Sequence, residues 1–254
     1  MDRMVYTALN SMQTSQQQRV VSAQNLANMN VPGYRRDLPI FGAPTEITNT
    51  VSHDARIFQT EMERGTFSDH VGPLNQTGDP MDVAITEEGY FYVQEGNGQV
   101  GLTRRGDFRT NAQGELMNGA GELVLNAGLE PIVLPPYRNM QITEVGQILI
   151  EPLDGAPGER AEVGLIATVI PDETLQLGKG LDGLIRPVDG SDVPAPNQLA
   201  TVRQGVLEGA NVNTTEELIA SIELQRGFEM NMQMISTAKE LDEAGASLMR
   251  APSE

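Results

Sequence analysis

Hydrophobic positions near the start of the chain follow a helical period. No Gly or Pro interrupts residues 2–28, and Asp2 can cap the first turn. Apolar and small residues recur every three or four positions in a narrow stripe, as in a coiled coil. The stripe contains Val5, Leu9, Met12, Gln16, Val20, Ala23 and Leu26. The pattern predicts a helix over 2–28, followed by a tight turn at Pro32-Gly33.

A second helical pattern lies at the other end of the chain. Asn213 and Glu216 have the spacing of a capping box, and Glu216 and Glu217 lie where the helix dipole favours negative charge. The stripe that follows contains Leu218, Ile222, Gln225, Phe228, Met232, Ile235 and Ala238. At 1.5 Å per residue the two helices are about 40 and 50 Å long, more than a small β domain can cover. We therefore expect their stripes to face each other, other chains, or both.

The middle of the chain has a different pattern. Residues 34–71 show little periodicity and predict an extended connector with a few short strands. From residue 72 to about 205, short apolar runs alternate with Gly, Asn and Asp, which is typical of an all-β unit. The predicted strands are Met81–Ile85, Tyr90–Val93, Val100–Thr103, Glu115–Met117, Glu122–Leu125, Gln147–Ile150 and Val163–Val169.

Together these patterns predict an α+β protein in which a central all-β domain is inserted between two long helices. We expect four segments along the chain. They are an N-terminal helix within 1–33, the connector 34–71, the all-β domain 72–205 and a C-terminal helix within 206–254.

Composition excludes several classes of function. The chain has 254 residues, with 17 Lys and Arg against 35 Asp and Glu, so its net charge is −18. This balance argues against a nucleic-acid binder and against docking on an anionic membrane. The absence of cysteine excludes disulfides and thiol chemistry. No apolar run is long enough for a membrane span, and the N-terminal segment lacks the apolar stretch of a Sec signal.

One glycine pattern resembles a nucleotide-binding loop. Gly96, Gly98 and Gly101 have the spacing G-x-G-x-x-G after a strand-like run. That loop requires a following helix, whereas residues 100–103 continue as a strand. We therefore interpret the pattern as a hairpin turn.

No other residues form a recognisable reaction centre. His53 and His70 have no HExxH motif around them, and the acidic pairs Asp79–Asp82 and Asp189–Asp192 lie in turn-like sequence. We assign no catalytic, cofactor-binding or metal-ligating residue, and we expect no enzymatic activity and no cofactor.

Three ordered blocks resemble the flagellar axial proteins, the family of rod, hook and hook-associated proteins. They comprise residues 22–28 with 32–36, residues 74–85 with 89–93 and 103–108, and residues 205–213 with 216–217 and 225–229. The positions that match the family's rod signature are Asn25, Asn28, Gly33, Tyr34, Asn211, Asn213, Glu217 and Arg226. We expect Asn25 and Asn28 to cap or bridge helix ends, with an ordinary helix stop as the alternative.

The resemblance implies a structural subunit. Members of the family are exported by the flagellar type III apparatus without a cleaved Sec signal, and they polymerise in the periplasm as part of the basal body. Their terminal helices pair in an inner coiled coil. The implied partners are further copies of the chain, other rod proteins and the export apparatus, with the surrounding rings as further candidates. Neither nucleic acid nor membrane insertion is implied.

Two other functions remain as alternatives from the residues alone. A hydrolase using paired acids lacks a nucleophile–base set. A carbohydrate-binding β module would need exposed aromatics, and the chain has only 6 Phe and 5 Tyr, with no Trp. We also expect Arg19, Arg35 and Arg226 to meet carboxylates, because the chain carries so much surplus acid.

Overall fold

The computed structural model describes residues 2–39, 44–47, 55–58, 66–156, 158–172 and 174–249. The chain forms two compact units, each built from pieces that are distant in sequence. The helical unit combines Met1–Ala27, Asp37–Glu63 and Asn213–Glu254, and the β unit combines Asn28–Arg36 and Arg64–Val212. The short segment after the first helix therefore belongs to the β unit.

The helical unit contains the two predicted helices. Helix α1 is Asp2–Ala27 and helix α2 is Thr214–Met249, while the strands β1 (Pro44–Ile47) and β2 (Ala55–Phe58) pair antiparallel. The predicted N-cap at Asn213 is confirmed, because Asn213 Oδ1 accepts from the amide of Thr215 at 3.1 Å. The predicted partner Glu216 accepts through Oε1 from the Asn213 side-chain Nδ2 at 3.0 Å. Side chains of residues 1–6, including Val5 of the predicted stripe, lie outside the described part of the chain.

The two helices run antiparallel along a seam of small and polar side chains. Ser22 contacts Glu217 near one end, and Asn231 Nδ2 donates to Ser11 Oγ at 3.0 Å towards the other. The residues buried on this seam are Ala8, Ser22, Asn25, Glu217 and Ala238. Ala8 and Ser22 are separated by two heptads, and so are Glu217 and Asn231.

The β unit contains fifteen strands among its described residues. These are β3 Leu74–Gln76, β4 Val83–Ile85, β5 Tyr90–Gln94, β6 Val100–Thr103, β7 Phe108–Thr110, β8 Leu116–Asn118, β9 Leu123–Val124, β10 Tyr137–Ile142, β11 Gln147–Pro152, β12 Ala161–Leu165, β13 Thr168–Val169, β14 Leu177–Lys179, β15 Ile185–Pro187, β16 Val202–Gln204 and β17 Val206–Glu208. The segment from residue 206 thus begins as a strand rather than a helix, because Gly205, in a left-handed conformation, turns β16 into β17.

Every strand pair in this unit is antiparallel. One sheet has the order β14-β15-β6-β5-β9-β8-β7, with β13 also on β5, and a three-stranded meander has the order β10-β11-β12. The first and last strands of the unit form two further pairs, β3 with β17 and β4 with β16. The last two strands of the β unit therefore pair with its first two strands.

The core is divided by strand β5. Phe91 and Val93 pack into one hydrophobic cluster, while the alternate residues Tyr90 and Tyr92 pack into a second. Phe91 lies edge-on to Phe108, with ring centroids 5.4 Å apart. Because both faces of β5 are covered, its side chains show no alternation between apolar and polar residues.

A single type of hairpin turn recurs along the β unit. In each described example the first residue pairs with the fifth through its backbone amide, and the fourth is left-handed. The turns span 95–99, 111–115, 118–122, 126–130, 143–147 and 180–184. The first contains Gly96 and Gly98, and Gly101 follows in β6, so the interpretation of the glycine pattern as a hairpin between β5 and β6 is confirmed.

Candidate functional site

In the helical unit, the N- and C-terminal blocks meet at a buried carboxylate. Glu217 Oε2 accepts from the hydroxyl of Ser22 at 2.7 Å, and Glu217 Oε1 accepts from Asn25 Nδ2 at 3.1 Å. Glu217 and Asn25 are each at most 2% exposed. A buried polar contact of this kind fixes the register of two helices, because a shift would leave these groups without partners.

Asn25 also binds the chain where it re-enters the helical unit. Its Nδ2 donates to the carbonyl of Asp37 at 2.9 Å, and its Oδ1 accepts from the amide of Asp37 at 2.8 Å. The bridging role predicted for Asn25 is therefore confirmed. Asn28, by contrast, makes a turn through its carbonyl, which accepts from the amide of Val31 at 3.0 Å.

In the β unit, the same two blocks meet at a second buried carboxylate, Glu208. Its Oε2 lies 2.6 Å from Arg104 Nε and its Oε1 lies 2.9 Å from Arg35 Nη1. Glu208 Oε1 also accepts from the amide of Gly72 at 2.8 Å, and the Glu208 carbonyl accepts from the amide of Gly33 at 2.8 Å. Glu208 thus joins its own strand to three other segments of the chain.

Arg104 is held from several sides. Its guanidinium donates to the carbonyls of Ile85, Glu87 and Gly89 at 3.0, 2.7 and 2.9 Å in addition to its contact with Glu208. Burial lowers the pKa of Arg104, and the charge of Glu208 opposes that shift. The hydrogen bonds to the three carbonyls and to Glu208 offset part of the cost of burying this cation.

Asn211, near the end of the β unit, binds the segments by which the chain enters that unit, residues 34–36 and 68–70. Its Oδ1 accepts from the amide of Arg36 at 2.6 Å, and its Nδ2 donates to the carbonyls of Ser68 and His70 at 3.0 and 2.7 Å. Tyr34 accepts from the amide of Asn211 at 3.2 Å. These bonds connect Asn211 to two segments, each of which lies more than 130 residues earlier in the sequence.

Tyr34 has a cation over its ring. The Lys179 ammonium lies 3.7 Å from the ring centroid and donates to the carbonyl of Arg35 at 2.9 Å. Close by, Tyr90 donates to Asp69 at 3.3 Å, and burial together with that carboxylate raises the pKa of Tyr90 to about 12. The site is therefore a dense set of charged groups under the incoming segment 31–36.

Gly33 allows this close approach. It has φ +66°, and a Cβ at this position would lie 2.3 Å from the carbonyl carbon of Arg104. Both facts require glycine, which confirms the tight turn predicted at Pro32-Gly33.

Much of the predicted hydrophobic stripe is exposed in this single chain. In α1, Leu9, Gln16, Val20 and Ala23 are exposed, while Met12 and Leu26 are half-buried. In α2, Leu218, Ile222, Gln225 and Met232 are exposed, while Phe228 and Ile235 are half-buried. Contact between α1 and α2 therefore leaves most of the stripes uncovered. Of the predicted stripe positions only Ala238 is fully buried among the described residues, and the other buried seam positions, such as Ser22 and Glu217, lie off the stripes.

The predicted arginine contacts divide in the same way. Arg35 meets the carboxylate of Glu208, as expected. Arg19 and Arg226 are exposed, and neither forms an ion pair within the described part of the chain. The sequence pattern did not identify Glu208 or Arg104 as site residues. A charged residue directly after the apolar pair Val206-Leu207 is the signal that could have indicated Glu208.

The site has the chemistry of a structural joint. Within the described residues, no cluster of three or more His, Asp or Glu side chains could hold a metal ion. Over the same residues, neither helix combines the length and apolar character that crossing a membrane requires. His53 lies outside the described residues, and the carbonyl of His70 accepts hydrogen bonds from Asn211 and Arg35.

Three family models match the chain in order. Residues 6–35 match the model described as flagella basal body rod protein, residues 84–150 match the flagellar hook protein FlgE/F/G D1 domain, and residues 203–248 match the flagellar basal body rod FlgEFG protein C-terminal region. The residues that meet at Glu217 lie within the first and third matches. The groups that meet at Glu208 also lie within the three matches, with the exception of Gly72.

Curated relatives match almost the whole chain. The flagellar basal-body rod protein FlgF of Caulobacter vibrioides is 31% identical, with 95% of each chain covered. FlgF of Salmonella typhimurium is 29% identical, covering 94% of this chain and 95% of the relative. The flagellar basal-body rod protein FlgG of Bacillus subtilis is 26% identical, covering 98% and 99%.

Proposed function

The chain belongs to the flagellar basal-body rod protein family, and from this premise we propose that it is an FlgF-like subunit of the proximal rod. Its role is structural, and it is not an enzyme. The alternative is the distal rod protein FlgG or another hook or rod axial protein. Opening residues 1–8 and the short stretch 37–70, which leaves little room for the insertion usual in FlgG, support the FlgF-like assignment.

We infer that subunits polymerise through their terminal helices. Large apolar side chains that a single chain leaves exposed carry this proposal: Leu9, Val20, Leu218, Ile219, Ile222, Met230, Met232, Met234 and Leu241. Burying apolar surface stabilises an assembly by about 25 cal/mol per Å². The interface proposed here comprises the predicted stripes, with Arg19 and Arg226 at its polar edge.

The seam and the exposed stripes have different tasks in this proposal. Pairing of α1 with α2 through Asn25 and Glu217 orders the helices within one subunit. The stripes then pack against neighbouring subunits in a coiled-coil tube. Contacts between unlike surfaces that do not close a ring produce a helical filament.

The proposed location and partners follow from the family. The chain is a component of the flagellar basal body. We propose that it lies in the periplasmic rod, reaches it through the flagellar type III export apparatus without a cleaved Sec signal, and contacts copies of itself, other rod proteins and the surrounding rings. In that position it transmits torque as part of the drive shaft and forms part of the export channel wall.

Substitutions on the exposed stripe of α2 test the assembly surface. The double variant Leu218→Ser, Ile222→Ser is expected to keep the unfolding midpoint of the wild-type chain, because both side chains are about half exposed. Replacing the chromosomal gene with this variant should abolish swimming in soft agar. The exposed control Glu223→Ser should leave swimming intact. Normal swimming by the double variant would contradict the proposed interface.

A second experiment tests the position of the subunit. A label on the β unit, imaged in isolated basal bodies, should appear at the proximal end of the rod. A label at the distal end would favour the FlgG alternative.

A further inference from the structure

The strands that complete the β unit are supplied by its last residues. Strand β16 pairs with β4, and β17 pairs with β3, across more than 100 residues of sequence. Val202 and Val206 are buried, so these strands also contribute to the core. Before they arrive, β3 and β4 have neither their strand partners nor this cover.

The same segment brings the counter-charge for two buried cations. Arg35 and Arg104 are 3% and 2% exposed. Within the described residues Glu208 is the one carboxylate that forms an ion pair with either of them. A guanidinium removed from water without a counter-charge is strongly unfavourable. Arg35 and Arg104 therefore have a reason to remain solvated until Glu208 reaches them.

From these two observations we infer that Glu208 is a closing latch, whose arrival permits segments 31–36 and 104–106 to dock on the β unit. Because Glu208 follows Arg104 by 104 residues and lies near the end of the β unit, a chain that emerges from its N-terminal side cannot close the unit until nearly all of that unit is present. The latch keeps the β unit open in an incomplete chain and links closure to the arrival of the C-terminal block. This inference does not depend on the proposed place in the rod.

Two glycines show why closure is a single event. The amide of Gly33 binds the Glu208 carbonyl, and the amide of Gly72 binds the Glu208 carboxylate. A Cβ on Gly72 would lie 2.0 Å from the carbonyl oxygen of Gly209, so the segments are in direct backbone contact. The incoming and outgoing chains thus reach their final positions together.

Pulsed hydrogen exchange during refolding of the full chain tests the order. The chain is refolded from urea, labelled at increasing times, digested and analysed by mass spectrometry. Peptides covering 28–36, 68–73 and 104–106 should gain protection in the same phase as 202–211, after the β10–β11 hairpin. Protection of 28–36 or 104–106 before 202–211 would overturn the inference.

Two matched variants test the role of charge. Glu208→Gln keeps the shape but removes the charge, and segments 28–36 and 104–106 should exchange at least tenfold faster than in the wild-type chain. Asp107→Asn breaks the neighbouring, more exposed ion pair with Arg105, 2.7 Å long, and should leave these rates unchanged. Equal exchange in both variants would contradict the latch. If Glu208→Gln does not fold, the wild-type refolding order decides.

Discussion

Asn25 donates to Glu217 at 3.1 Å, joining the end of the first helix to the start of the last across 192 residues of sequence. Because both side chains are buried, Glu217→Ala would leave the donors of Ser22 and Asn25 without their carboxylate acceptor. We expect a loss of about 2–3 kcal/mol in the free energy of unfolding, measured by urea titration with helical circular dichroism. The exposed neighbour Glu223→Ala should change it by less than about 0.5 kcal/mol.

Gly33 offers a test of backbone fit. Gly33→Ala combines a left-handed conformation with a Cβ placed 2.3 Å from backbone atoms. We expect it to destabilise the β unit by at least about 3 kcal/mol. Gly78→Ala is the matched control, because Gly78 has φ +77° with nothing within 4 Å of the added Cβ. It should lose only about 1 kcal/mol, and equal losses in the two variants would rule out the steric explanation for Gly33.

Leu129 is the one non-glycine residue at the fourth position of the recurring hairpin turn. It has φ +60°, a conformation that a leucine adopts at a cost of about 1–2 kcal/mol. Leu129→Gly should therefore raise the urea midpoint, with a gain of about 0.5–1 kcal/mol. Gly121→Ala, at the same position of the preceding turn, should shift the midpoint the other way. A lower midpoint for Leu129→Gly would show that the leucine side chain stabilises this turn.

Glu122 makes the stability of the β unit depend on pH. Burial raises the pKa of this carboxyl, and the nearby charges of Asp182 and Glu95 raise it further. A raised pKa means that its contribution to stability is present at low pH and is lost as the pH rises through the folded-state pKa. Glu122→Gln should therefore be more stable than the wild-type chain at about pH 7, with the difference vanishing near pH 4.

The control for that experiment is Glu115→Gln in the neighbouring turn. Asn111 donates to Glu115 at 2.7 Å, as Asn118 does to Glu122 at 2.6 Å, so the local hydrogen bonding is the same. Parallel urea titrations across the pH range should give a smaller gain for Glu115→Gln. A gain of the same size would remove the explanation based on the burial of Glu122 and on the nearby charges of Asp182 and Glu95.

Local chemistry made both helices and many strands predictable. The absence of Gly and Pro before Pro32 and the capping box at Asn213 are signals within a few residues, and the structure agrees with both. Turns such as Asn118–Glu122 are equally local. Strand β5 is also predictable, because a short apolar run between turn signals indicates a strand buried on both faces even without alternation of apolar and polar residues.

The interhelical seam was not predictable from hydrophobic periodicity. Its buried positions include Ser22, Asn25 and Glu217, which a search for an apolar stripe passes over. The stripe of Leu9 and Val20 is real in the sequence but lies on the exposed surface of this chain. The two-heptad spacing of Ala8 and Ser22 is the signal that would have located the seam.

The joint at Glu208 depends on partners far away in sequence. Arg35 and Arg104 are separated from Glu208 by more than 100 residues, so no local pattern relates the three charges. Only the fold brings them together, through the return of β16 and β17 to β4 and β3.

The polar character of the seam between α1 and α2 affects how firmly one chain keeps its own helices together. Hydroxyl, amide and carboxylate groups such as those of Ser11, Asn231 and Glu217 regain partners in water when the helices separate, whereas leucines would not. Separation of the helices therefore costs well-placed hydrogen bonds more than it costs buried apolar surface. A pair held in this way specifies the alignment of α1 with α2 more strongly than it resists their separation.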